Sequence, residues 1–311
     1  MDRSIGKISR EQFNLLRAVF EAPQEYKKNT LSVEGVETEK LAEAIGECRA
    51  NAWVDNDGLT EKGKEALEPY KVKRAIIMAA GFGSRLAPIT INTPKPLVRV
   101  HGKRIIDTLL DAIKDAGIEE VVIVRGYLAE QFDQLLYKYP NIRFVDNNMY
   151  DQANNISSAV CVKDLLENAY VMEADLLISN PKRIRKYHYT SNFLGVPVSN
   201  SEDWCFVVKN KEIASQVSNG NDCVDKLLQD EELYQEIGIS YWDAEAGKKL
   251  ATHLKEVFDR PEGKTRYWDQ VPLLDYKGEY KLEIVECDKT DIVEIDSFKE
   301  LVEIDSRYSV L

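Results

Sequence analysis

The sequence predicts an α/β protein: a mainly parallel mixed sheet flanked by helices, preceded by a small winged-helix-like N-terminal domain. Three observations carry this. From residue 73 onward, apolar runs of strand length alternate with amphipathic helical stretches. The first seventy residues instead show capped helices around one tight turn. The 311 residues, 44% of them apolar, are enough for a full core and about two domains.

The N-terminal domain is expected over 1–70. "SREQFNLLRAVFEA" places Phe13, Leu16, Ala18, Val19 and Phe20 on one helical face behind a Ser9 cap. "ETEKLAEAIG" makes a second helix, and "LTEKGKEALEPY" a third, capped by Thr60. Between them Trp53 and Val54 read as a short strand that ends in the turn Asn56-Asp57-Gly58. Acids outnumber bases here, so a protein-contacting or regulatory appendage is favoured over a DNA-binding one. Pro69-Tyr70-Lys71 is the linker, and 73–311 is the second domain.

There "RAIIMAA" suits a strand buried on both faces. It is followed by the helix "IIDTLLDAIKDAG", the strand "EEVVIVRG", the helix "AEQFDQLLYKYP" and the strand "IRFVDN". The cycle repeats with "ISSAVCVKDLLE" as helix and "AYVMEADLLIS" as one strand. Beyond residue 193, "WCFVVKN", "EIGISYWDA" and "LEIVEC" read as strands around the helix "AEAGKKLATHLKEVF". "DIVEIDSFKELVEI" closes the chain as a strand that turns into a helix at Asp296-Ser297. In such a sheet, ligands bind at the carboxyl ends of strands.

A net charge of −12 argues against binding nucleic acid or anionic lipid by bulk electrostatics, so small molecules are the expected partners. The five cysteines are dispersed without a C-x-x-C pair and fit reduced thiols. Three isolated histidines make a His metal site or a Ser/His/Asp triad a poor reading. With no signal-like or membrane-length apolar run, the cytoplasm is the expected compartment. Oligomeric state is not set by the sequence, and a homodimer is open to it.

The chemistry concentrates in "AIIMAAGFGSRLAPITINTPKPL". "GFGSR" is neither a Walker loop nor a dinucleotide fingerprint, because the sixth position of G-x-G-x-x-G is Leu86. What remains is a glycine turn after a strand, with N–H groups able to line an anion site. Arg85 can fork onto phosphate oxygens and Lys95 adds a point charge.

"AAGFGSRLAPITINTPKPLVRVHGKRIID" resembles the signature of the nucleotidylyltransferase family. "VVIVRGYLAEQF", "NNISSA", "MEAD", "GISYWDA", "YWDQV" and "VEIDSF" are similar to the bacterial CTP:phosphocholine cytidylyltransferase branch. The likeness spans roughly 73–308 and departs from the family at Arg104, where a proline is usual. It implies a Rossmann-like sheet of the nucleotide-diphospho-sugar transferase type and transfer of CMP from CTP to phosphocholine. Such a transfer needs in-line attack and charge neutralisation, hence Mg²⁺. Asp175, at a strand's carboxyl end, is the expected ligand, and the resemblance adds Asp296 as the second. Arg85 is expected on the β,γ-phosphates and Lys95 between the α-phosphate and the attacking phosphate.

For the nucleotide, the expected wall is Ala79, Ala80, Gly81, Gly83 and Ser84, with Asn154, Asn155 and Ser158 reading the base; Asn154 is otherwise a helix cap. A quaternary ammonium needs aromatic faces and a nearby carboxylate, which singles out Trp204, Tyr241, Trp268 and Asp269 for the acceptor. Phosphoethanolamine, 2-aminoethylphosphonate or a sugar 1-phosphate are the rival acceptors. A nucleotide-sensing transcription regulator is the rival of a different class.

Overall fold

Helix α1 (Arg10–Glu21) starts where Ser9 Oγ accepts from Gln12 N at 3.2 Å and Gln12 Oε1 accepts from Ser9 N at 3.0 Å, a reciprocal cap. The computed structural model describes residues 8–310; residues 1–7 of the expected N-terminal domain, and Leu311, lie outside the described residues. The chain divides into two units at Lys71/Val72, with Tyr187–Tyr189 counted in the first.

The first unit continues with α2 (Pro23–Lys27), α3 (Thr38–Ala50) and α4 (Glu61–Leu67). Thr60 Oγ1 caps α4 by accepting from Gly63 N at 3.0 Å. The strand expected at Trp53-Val54 is reduced to a single bridged pair, Val54 with Leu59. Asp55 Oδ1 ties that turn by accepting from Asp57 N and Gly58 N. Phe13, Leu16 and Val19 are buried as their spacing predicts, together with Leu15, whereas Phe20 stays 37% exposed and meets Tyr187 edge-on.

The second unit runs through β1 (Arg74–Ala79), β2 (Arg99–Val100), β3 (Lys103–Arg104), α5 (Ile105–Asp115), β4 (Glu120–Arg125), β5 (Ile142–Asp146) and α6 (Ile156–Cys161). It continues with β6 (Ala169–Glu173), β7 (Leu176–Ile178), β8 (Asn192–Pro197), β9 (Cys205–Lys209), β10 (Glu212–Val217) and β11 (Glu231–Trp242). It ends with α7 (Ala244–Phe258), β12 (Glu283–Glu286), β13 (Ile292–Glu294) and α8 (Phe298–Ile304). Nine strands form one sheet in the order β5-β4-β1-β6-β11-β8-β12-β10-β9. The β5-β4-β1-β6 half is parallel, and β11 joins it antiparallel to β6. Ala75 and Ile77 of β1 face one core and Ile76 the other, which is why that strand reads as an unbroken apolar run.

Three expectations give way. "AEQFDQLLYKYP" is 3₁₀ rather than α-helical. "AYVMEADLLIS" is two strands, since β7 leaves the main sheet to pair with β13. β8 and β10 were not expected as strands; β8 runs antiparallel to β11 and parallel to β12, and β10 runs antiparallel to β12 and β9. No described helix is long and apolar enough to cross a membrane.

Candidate active site

Because β4 and β6 flank β1 on opposite sides, a crevice opens at their carboxyl ends. A cleft of about 370 Å³ lies there, lined by Ala79, Ala80, Gly81, Gly83, Ser84 and Arg85 after β1, by Lys95, by Asn154, Asn155 and Ser158 at α6, and by Asp175 and Asp296. Every residue expected to hold nucleotide, metal or phosphate therefore meets in one place, although positions 79 and 296 lie at opposite ends of the second unit's sequence.

Gly83 makes the turn possible. Its φ of +61° is left-handed, and a Cβ there would fall 2.7 Å from Lys95 Cβ. Gly83→Ala is expected to lower stability in urea by about 1–3 kcal/mol and to weaken turnover by displacing Lys95. Unchanged unfolding would mean that the loop refolds around the methyl group.

The cations do not stand open. Lys95, only 7% exposed, donates from Nζ to Asp175 Oδ2 at 2.6 Å and to Asp296 Oδ1 at 3.0 Å. Arg85 forks onto both oxygens of Asp296 at 3.0 and 2.7 Å. Burial alone would pull the Lys95 ammonium's pKa down, but the two carboxylates outweigh it and hold it above its ordinary value. Ser297 caps α8, with Glu300 completing the reciprocal box, so the Asp296 carboxylate is left for these cations.

Of the expected pair, Asp175 lies in a tighter cluster of acids. Ligand atoms of Glu173, Asp175 and Glu294 lie within 4.8 Å of one another, whereas Asp296 is engaged by Arg85 and Lys95. The cause is the small β7–β13 sheet, with Ile295 N donating to Asp175 O at 3.3 Å, which brings the segments Glu173-Ala-Asp175 and Glu294-Ile-Asp296 side by side. Burial first, then the Asp175 charge, pushes both Glu173 and Glu294 well above the usual carboxylate range. Asp175 Oδ1 is buried without a hydrogen-bond partner. Hard oxygens crowded this closely, one of them orphaned, fit a Mg²⁺-sized ion.

At α6, Asn155 is the N-cap but makes no side-chain cap bond. Its Oδ1 accepts from Trp268 N at 2.9 Å. Asn154 Oδ1 accepts from Asn155 N at 2.7 Å and its Nδ2 donates to Thr265 O at 3.3 Å. Ser158 Oγ accepts from Asn147 Nδ2 at 3.0 Å.

The expected acceptor residues separate. Tyr241 is a correction: it is fully buried, edge-on to Tyr170, and donates to Asn168 Oδ1, because its β11 position faces the α5 side of the core. Trp268 is another, 5% exposed and packed against Phe193 and Trp242. Trp204 is half-buried against Tyr267, which is 44% exposed, with ring centroids 5.9 Å apart. Asp269 accepts from Gln216 Nε2, which also donates to Glu236 Oε2 at 2.8 Å. Burial first, then Asp269, raises Glu236, and burial raises Asp269 against the pull of Gln216.

Sequence reasoning missed Glu173 and Glu294, although the E-x-D spacing signals both: in extended chain, residues two apart share a side. It also missed Gln216 and Glu236, for which no local pattern exists. Phe82, Asn147 and Tyr150 line the cleft too.

The Nucleotidyl transferase family model matches residues 74–265. The 2-aminoethylphosphonate cytidylyltransferase of Lancefieldella rimae is 34% identical over 244 residues, 76% of this chain and 94% of that protein. The choline-phosphate cytidylyltransferase of Streptococcus pneumoniae is 33% identical over 228 residues, 73% and 94% of the two chains. A solved structure of CTP:phosphocholine cytidylyltransferase from Streptococcus pneumoniae superposes with a TM-score of 0.68 at 30% identity, covering 75% of this chain and 98% of that one. With a family match over more than half its length and relatives of this identity, the chain belongs to the nucleotidyl transferase family.

Proposed function

We propose that the chain is a Mg²⁺-dependent cytidylyltransferase that transfers CMP from CTP to a small phosphate or phosphonate carrying an amine. Phosphocholine is the acceptor to which the sequence points. The observation that carries the reading is the convergence of the glycine turn, Arg85, Lys95, Glu173 and Asp175 in one cleft, with Glu294 offering an oxygen within 4.8 Å of both acids.

The acceptor's phosphoryl or phosphonyl oxygen attacks the α-phosphorus of CTP. A P–O bond forms, the bond from the α-phosphorus to the bridging oxygen breaks, and pyrophosphate leaves with its electron pair. The attacking oxygen is already ionised, so the protein has no proton to move. Arg85 exchanges Asp296 for the β,γ-phosphates, and Lys95 turns to the oxygens around the α-phosphorus, where its contact strengthens as charge builds. Asp175 and Glu294, with Glu173 beside them, would hold Mg²⁺, which supplies charge neutralisation on the triphosphate. Asp296, once released by the cations, is free to join them. Asn155 keeps its Nδ2 donors, and Ser158 its hydroxyl proton, for the acceptor edge of cytosine.

Residues 8–71 belong to this reading as a regulatory, winged-helix-like appendage, and the cytoplasm suits a CTP-dependent reaction and five unpaired cysteines. The test is pyrophosphate release with Mg²⁺ and each of CTP, UTP, GTP, ATP and dTTP, against phosphocholine, phosphoethanolamine, 2-aminoethylphosphonate and glucose 1-phosphate. Turnover is expected with CTP and the amine acceptors. Turnover with glucose 1-phosphate alone would reject the acceptor class, and silence throughout would favour a nucleotide-sensing regulator.

A further inference from the structure

Gln216 is 5% exposed, and its side-chain amide is held by two carboxylates: Nε2 donates to Glu236 Oε2 and to Asp269 Oδ2. With both acids ionised, that arrangement fixes which end of the amide is which, since a carboxylate can accept from an N–H but not from a carbonyl oxygen. The other end, Oε1, shares a carbon with Nε2 and so lies beside the same carboxylates. It is buried without a hydrogen-bond partner. Among the described residues, no lysine or arginine pairs with Glu236 or Asp269. An orphaned acceptor next to two such acids calls for a cation that also donates hydrogen bonds.

The group adjoins the cleft. Gly238, two residues after Glu236, passes so close to Glu173 that a Cβ would fall 2.9 Å from Glu173 Cγ, and Glu173 lines the cleft with Asp175 and Lys95. Glu236 N donates to Trp204 O at 2.9 Å, which sets the Trp204–Tyr267 pair beside the acids. The aromatic enclosure that a quaternary ammonium needs is missing two of its expected members, because Tyr241 and Trp268 are core.

We propose that Glu236, Asp269 and Gln216 bind the acceptor's primary ammonium, that Gln216 Oε1 takes one of its N–H bonds, and that the acceptor is an aminoalkyl phosphate or phosphonate rather than a choline ester. This rests on the cytidylyl-transfer reading above. A trimethylated nitrogen would bury Oε1 against methyl groups with no donor to offer, leaving the amide oxygen desolvated and unpaired. Gln216 is a specificity residue, remote from the reacting phosphorus.

The experiment is steady-state cytidylyl transfer by the full chain with phosphoethanolamine, its N-methyl and N,N-dimethyl derivatives and phosphocholine, a series in which each step replaces one N–H donor by a methyl group. 2-Aminoethylphosphonate, run alongside, distinguishes phosphate from phosphonate. kcat/KM is expected to fall by about 10- to 100-fold from the primary to the quaternary amine, the worth of one hydrogen bond to a charged group. The change should lie in the acceptor KM, with the CTP KM constant. Gln216→Leu should bring the ends of the series within a few-fold of each other. If that variant does not fold, the wild-type series still decides, and Glu236→Gln, which keeps the shape, should weaken every cationic acceptor. Phosphocholine equal to or better than the primary amine, or an unchanged ratio in Gln216→Leu, would overturn the proposal and leave cytidylyl transfer standing. Absence of pyrophosphate with every acceptor would overturn both.

Discussion

Replacing Lys95 by methionine is expected to lower kcat by about 10³-fold, with a much smaller change in the CTP KM. The ammonium is nearly buried, 2.6 Å from Asp175 and 3.0 Å from Asp296. Held above its ordinary pKa, it is charged at any working pH. On the proposed reading it faces the oxygens where negative charge grows during transfer, and a contact that strengthens there appears in kcat. Methionine keeps the packing of the stem and removes only the charge. The same change strips Asp175 of its cation and leaves Asp296 with Arg85 alone, so stability to urea without Mg²⁺ should also fall, by up to about 3–5 kcal/mol. A kcat within about tenfold of wild type would mean that Lys95 only holds the two carboxylates.

Asp175→Asn is expected to reduce turnover by a similar factor, about 10³ or more, through a different failure. Asp175 sits among Glu173 and Glu294, offers a buried oxygen that nothing satisfies, and is the carboxylate common to the oxygen trio and to Lys95. In the wild type, millimolar Mg²⁺ should raise the melting temperature, since an ion bound only by the folded chain adds stability in proportion to RT ln(1 + [L]/Kd). In Asp175→Asn that rise should disappear. The melting shift needs no substrate, so it separates loss of the ion from loss of the acceptor. A variant that keeps both the shift and the turnover would move the metal site elsewhere.

Much of the site was legible because its signals are local. The glycine turn, Arg85, Lys95, and the caps at Ser9 and Thr60 each depend on neighbours a few residues away, and period and spacing carry that information. Asp175 was legible because a strand's carboxyl end faces the crevice in a parallel sheet. Reading "AYVMEADLLIS" as one strand hid that Asp175 lies at a break, where β7 departs to meet β13. The period-two rule, applied to Glu173 and Glu294, would have pointed to both.

By itself the sequence determined the α/β class, the order of strands and helices that build the parallel half of the sheet, the glycine turn with its two cations, and membership of the family. Only the tertiary structure decided that Tyr241 and Trp268 are core, that Glu173, Asp175 and Glu294 are the oxygens that meet, that Arg85 and Lys95 pair with Asp296, and that Gln216 stands between Glu236 and Asp269. The physical reason is range. Alternation says that Tyr241 and Trp242 point to opposite faces, but in this sheet both faces are covered, and which neighbours cover them is set by strand pairing across long loops. Strand β11 brings Gly238 against Glu173 at the end of β6 and Glu236 to the Gln216 amide that also holds Asp269, and no local propensity encodes that meeting.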